Sequence, residues 1–151
     1  MTTRMMKRFG MIELVIALLV TVGAAAQAPS PAARAFDRYE AIRAALAKDG
    51  LVDVASNAAA LAPLAAAVAG KDAEAAVNKV RAAKTLDVAR DEFGNLSLIL
   101  VPKFLEAELP GVVGYACTMK PNAVWVQRGE SISNPYFGKV MLDCGSPLAK
   151  K

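Results

Sequence analysis

Both cysteines of the chain, Cys117 and Cys144, have a methionine close by. The first segment reads Cys117-Thr118-Met119 and the second Met141-Leu142-Asp143-Cys144. On an extended strand, side chains two apart share a face. On a helical turn, side chains three apart do. Each segment can therefore turn a thiol and a thioether to one side, and the two segments can face each other. Four soft sulfur donors suit a soft ion, Cu(I) above all, and suit Mg²⁺ or Ca²⁺ poorly. Zn²⁺ could use the two thiolates, but thioethers are poor zinc ligands.

The competing reading of the same residues is a Cys117–Cys144 disulfide, the usual fate of a cysteine pair in an exported protein. It would close a loop of about 28 residues, for which the chain-entropy estimate is roughly 3.6 kcal/mol. Met119 and Met141 would then be ordinary core filler.

The N-terminus reads as a secretory signal over residues 1–26. Arg4, Lys7 and Arg8 form a basic region ahead of an apolar run, Leu14 to Val22, marred only by Glu13 at its edge. The run is too short to span a bilayer comfortably. Ala24-Ala25-Ala26 offers a cleavage site before Gln27, with Ala26-Gln27-Ala28 as a second. Export points to a bacterial periplasm or the cell exterior, where disulfides persist. Removing residues 1–26 takes three basic and one acidic residue from 18 and 14, leaving 15 against 13 and a charge of about +2. No basic stripe for nucleic acid remains, and no membrane attachment is expected once the signal is cleaved.

The chain contains no histidine. That excludes Ser-His-Asp and Cys-His machinery and His-ligated zinc or Cu(II) sites. The acids show no catalytic motif. Asp143 beside Cys144 would raise the thiol pKa, the wrong direction for a nucleophile. The expectation is a protein that is not an enzyme.

The elements that carry the two segments follow from periodicity. Residues 27–33 read as a short mobile Pro/Ala linker. A helix from about Ala33 to Lys48 would bury Phe36, Tyr39, Ile42 and Leu46, with Arg38, Glu40 and Arg43 solvated opposite and Asp49-Gly50 as its stop. The alanine-dense stretch Leu51 to Ala69 would bury Val54, Ala58, Leu61, Leu64 and Val68, kinked or split by Pro63 near Ala62. Gly70-Lys71-Asp72 reads as a turn, and Ala73 to Ala83 as a third helix with Ala76, Val77 and Val80 inward. Over Leu86 to Leu105 helical spacing competes with a turn at Gly94-Asn95 and a buried strand stopping at Pro102. Beyond Leu109-Pro110-Gly111, Val112 to Cys117 and Ala123 to Gln127 read as strands of a hairpin. Asn134-Pro135 fits a helix start, with Tyr136 and Phe137 as packing anchors and Gly138 as a tight turn. Gly145 reads as a stop, and the tail from Ser146 as frayed.

Several of these stretches resemble a small periplasmic domain that occurs alone or at the C-terminus of the adaptor proteins of heavy-metal RND efflux pumps. The motif is Cys-Pro-Met, a Trp several residues later, Asn-Pro-Tyr-Phe-Gly, then Met-Leu-x-Cys-Gly. Here these are Cys117-Thr118-Met119, Trp125, Asn134-Pro135-Tyr136-Phe137-Gly138 and Met141-Leu142-Asp143-Cys144-Gly145. Upstream, Arg90, Phe93 and Leu96-Ser97 resemble a helical R-x-x-F-x-x-L-S. The resemblance covers roughly Phe36 to Gly145 and is strong in the last 30 or so residues. It implies a helix over Arg90 to Leu105. It also implies metal binding, Cu(I) first, at Cys117, Met119, Met141 and Cys144, and a partner such as an RND efflux adaptor or a periplasmic metal donor or acceptor. Thr118 departs from the pattern, since proline would stiffen the loop between the two sulfurs.

Two thiolates around one Cu⁺ leave a net charge of −1, which Lys120 or Lys139 could offset at short range. Trp125 and Tyr136 are candidates to support the site; Trp125 either shields the ion with its ring face or packs the hairpin. The expected architecture is mainly α, an up-and-down bundle of four helices over 34–108 with a small C-terminal lobe over 109–151. The two form one domain spanning 34–145.

Overall fold

The computed structural model describes residues 28–149. The expected signal segment, residues 1–26, and the cleavage site before Gln27 lie outside the described residues. Four helices form the larger part: α1 (Pro31–Ala47), α2 (Val54–Ala69), α3 (Lys71–Ala82) and α4 (Leu86–Glu106). They pack in sequence, α1 on α2, α2 on α3 and α3 on α4, and α4 closes back on α1. The mainly helical bundle with a small β lobe is thus as expected, and α4 is helical throughout Leu86–Glu106. Among the described residues no helix is long and apolar enough to cross a membrane.

Helix α1 begins earlier than its apolar stripe suggests. Ser30 accepts a hydrogen bond from the Ala33 amide, and Pro31 occupies the first turn. That pairing of a hydroxyl cap with an early proline is favourable for a helix start. The expected linker therefore shortens, its last residues being helical. At the other end Asp49, at φ 60°, takes the left-handed conformation.

Neither internal proline breaks its helix. α2 runs through Pro63 and α4 through Pro102; of the expected kink or split near Ala62, the split does not occur. Each proline deprives the carbonyl four residues back of its donor. Those carbonyls belong to Ala59 and Leu98, and both residues, like both prolines, are exposed. Water can satisfy the freed oxygens while the opposite face stays buried. Gly94-Asn95 lies inside α4 as well.

The core is aromatic where α1 meets α4. Phe36, Tyr39, Phe93 and Phe104 are fully buried. Tyr39 lies 4.8 Å from Phe93 and 5.3 Å from Phe104 between ring centroids. Its hydroxyl is 2.7 Å from that of the buried Ser97. Of the expected inward residues of α2, Leu64 and Val68 are only partly buried; Ala62 and Ala65 take the inner positions. Alanine there lets neighbouring helices approach closely.

The lobe is a three-stranded antiparallel sheet: β1 (Val112–Ala116), β2 (Val124–Arg128) and β3 (Ser146–Pro147), in the order β2-β1-β3. β1 and β2 form the expected hairpin, with Tyr115 opposite Trp125. β3 corrects the expectation of a frayed tail: Ala116 pairs with Ser146, Tyr115 with Pro147, and the Leu148 amide donates to the Gly114 carbonyl. Two residues are too few for alternating hydrophobicity to register. A line of rings joins lobe to bundle, from Phe93 to Tyr136 (6.1 Å), Tyr136 to Trp125 (6.0 Å) and Trp125 to Tyr115 (5.5 Å).

Candidate functional site

Cys117 leaves the end of β1, and Cys144 precedes β3. Continued by two residues, the β1–β3 register sets Thr118 against Cys144. The Thr118 hydroxyl lies 3.4 Å from the Cys144 sulfur. Met141 to Cys144 closes a turn, the Cys144 amide donating to the Met141 carbonyl at 3.2 Å. That is the three-residue spacing the second segment implies. Met141 itself follows a short 3₁₀ turn, Gly138–Val140.

Between the two segments stands Asn134, fully buried. Its side-chain amide donates to the Cys117 sulfur at 3.4 Å and to the Cys144 carbonyl at 2.7 Å. Its side-chain oxygen accepts from the Tyr136 amide at 2.7 Å and the Phe137 amide at 3.4 Å. Its own backbone N–H donates to the Leu142 carbonyl at 2.7 Å. A buried amide must use its polar atoms or lose free energy, and this one uses them to join three pieces of irregular chain. Asn134 does cap a turn, as expected, but the element it caps is a turn and a 3₁₀ segment rather than an α-helix.

Arginines from the bundle hold both neighbours of Asn134. Arg43 donates to the Ser133 carbonyl at 2.7 Å while paired with Glu40. Arg90 donates to the Pro135 and Leu46 carbonyls, both at 3.0 Å, and to the Asp49 carboxylate at 2.6 Å. Arg43 is therefore not the solvated residue its helical position suggests; it is 6% exposed. Gly138, at φ +56°, lies against the Arg90–Asp49 pair so closely that a Cβ would collide with both side chains. Gly145 likewise presses on Trp125, where a Cβ would sit 2.7 Å from the indole; close approach explains this glycine better than a helix stop.

The structure thus brings the two cysteines into one hydrogen-bonded neighbourhood. The two are not bonded to each other in the structure, and each sulfur has its own polar partner. Neither methionine is core filler: Met119 is 60% exposed and Met141 partly exposed. The two cysteine segments share one network, and both methionines lie outside the core; thiols and thioethers are soft donors. Among the described residues no group of three or more His, Cys, Asp or Glu offers a harder site.

The expected supporting residues divide. Trp125 is wholly buried, stacked on Tyr115, its indole N–H donating to Gln127 at 2.9 Å. It packs the lobe rather than shielding a surface ion. Tyr136 is also buried and donates to the Val124 carbonyl at 2.5 Å. Burial pushes the phenols of Tyr136 and of Tyr39 far above the ordinary tyrosine range. Lys120 is paired with Asp91 at 2.5 Å and lies 5.7 Å from the Tyr136 ring centre; Lys139 is exposed. An open depression of about 450 Å³ lies between α4 and the lobe, lined by Arg90, Asp91, Lys120 and Tyr136 among others, and none of the four sulfur residues lines it.

Asn134 and Thr118 are the site residues that spacing did not expose. Asn134-Pro135 signalled a cap, but nothing local says that the other end of the amide reaches a sulfur. No family model, no curated protein and no solved structure matches this chain.

Proposed function

We propose that this chain is an exported, periplasmic Cu(I)-binding protein that exchanges metal with a partner in heavy-metal homeostasis, such as an RND efflux adaptor, and that it is not an enzyme. Cys117 and Cys144 bind as thiolates, Met119 and Met141 as neutral thioethers. The observation that carries the reading is one buried side-chain amide, that of Asn134, in contact with both cysteine segments. Two further features support it: thioether-bearing residues outside the core and a chain without histidine. Export rests on the signal-like first 26 residues. The test is a Cu(I) titration under reducing conditions against a competing chelator. Wild type should outcompete the Cys117→Ser, Cys144→Ser double variant by orders of magnitude. Equal, weak binding by both would end the proposal.

The proximity of the two cysteine segments also favours a second reading, an interaction domain stapled by a Cys117–Cys144 disulfide in the oxidising envelope. Counting free thiols on protein purified from the periplasm separates the two. Two free thiols per chain favour the metal site, and none favours the staple.

A further inference from the structure

Each candidate thiol has one neutral hydrogen-bond partner, supplied by a different part of the chain. The Asn134 amide meets the Cys117 sulfur from inside the core at 3.4 Å. The Thr118 hydroxyl meets the Cys144 sulfur from the surface at 3.4 Å. The arrangement is crossed: Thr118 is the chain neighbour of one cysteine and bonds the other. A hydroxyl facing a thiolate can only donate to it, because the sulfur then carries no proton. Two thiolates around one monovalent cation keep a net negative charge, and the cationic side chain nearest in sequence, Lys120, is already paired with Asp91. Charge-assisted hydrogen bonds from neutral groups are a local means of stabilising that charge.

We infer that Asn134 and Thr118 are positioning residues that stabilise the doubly deprotonated, metal-loaded state, one donor per sulfur. The inference rests on the Cu(I) reading above and names how that site holds its charge. Asn134 also sets the distance between the segments, since the same amide nitrogen contacts the Cys144 carbonyl at 2.7 Å. Thr118 is exposed and has no such structural duty, so its hydroxyl can be removed without disturbing the core.

The deciding experiment compares Thr118→Val, Thr118→Ser and Asn134→Ser with wild type and with the Cys117→Ser, Cys144→Ser variant. Cu(I) affinity is measured by chelator competition, and the ultraviolet copper–thiolate absorption is recorded for each loaded protein. Loss of an outer hydrogen-bond partner of a metal ligand typically costs about 10- to 100-fold in affinity. Thr118→Val should lose about tenfold with a shifted absorption band, and Thr118→Ser should restore both. Asn134→Ser should lose more. In the wild-type protein the Asn134 side-chain amide resonances should move when Cu(I) is added, a reading that needs no substitution. If the cysteine variant loses binding while Thr118→Val keeps wild-type affinity and spectrum, or the Asn134 resonances stay still, the inference is overturned and the Cu(I) reading survives. If the cysteine variant binds like wild type, both fall together.

Discussion

The bundle and the lobe are held together by different means. In the bundle, backbone hydrogen bonds are local and the remaining stability comes from burying one stripe of each helix, with Phe36, Tyr39, Phe93 and Phe104 at the centre. In the lobe, the strands are five, five and two residues long. The chain from Arg128 to Ser146 relies on side chains to satisfy its backbone: Asn134, Gln127, Arg43 and Arg90 all bond main-chain atoms there. Regular structure is robust to its side chains in a way that this irregular structure is not. The sulfurs sit in the second kind, where a few polar contacts decide the geometry.

That contrast can be broken at the residue shared by both regions. Phe93 touches Tyr39 in the bundle and Tyr136 in the lobe. Phe93→Ala should cost about 3–5 kcal/mol, the usual range for a buried phenylalanine, read by denaturant unfolding followed at Trp125 and by far-ultraviolet circular dichroism. Coincident loss of both signals is expected; two separate transitions would mean that bundle and lobe fold independently.

Arg90→Ala probes the polar side of the comparison. It removes donors to Pro135, Leu46 and Asp49 at once. A cost of about 1.5–3 kcal/mol is expected, as for a hydrogen bond to a charged group. Amide hydrogen exchange should quicken over 130–145 while α2 and α3 keep their protection. Uniform quickening would show that the guanidinium serves the bundle more than the lobe.

Alkali sharpens the contrast with one buried phenol from each region, Tyr39 and Tyr136. Burial raises both, so the folded protein keeps them neutral where the unfolded chain ionises, near pH 10. Their contribution is fully present below about pH 10 and is lost as pH rises above it, by about 1.4 kcal/mol per pH unit for each tyrosine. Tyr136→Phe should remove the lobe's share of that slope, measured as unfolding free energy against pH. An unchanged slope would mean that Tyr136 ionises in the folded state.

Helix existence was legible because a stripe such as Phe36, Tyr39, Ile42 and Leu46 repeats one physical requirement, burial, at a fixed period. Pro102 was misleading as a breaker because its exposure on the outer face of α4 makes the local penalty small, and Gly94 because it faces the Tyr136 ring from within the helix, where a Cβ would sit 3.4 Å from it. Arg43 was misread because its position on α1 says which way it points and nothing about Ser133, which arrives from 90 residues away.

From its own residues the chain determined three helices, a hairpin and two Cys/Met segments able to present soft donors, since each depends on near neighbours in sequence; over Leu86 to Leu105 local pattern left helix and strand in competition. Only tertiary structure decided that Asn134 stands between the cysteines, that Thr118 faces Cys144 rather than Cys117, and that Trp125 belongs to the core. Those contacts join residues far apart along the chain, and their geometry is set by how the lobe packs on the bundle, which no local pattern encodes.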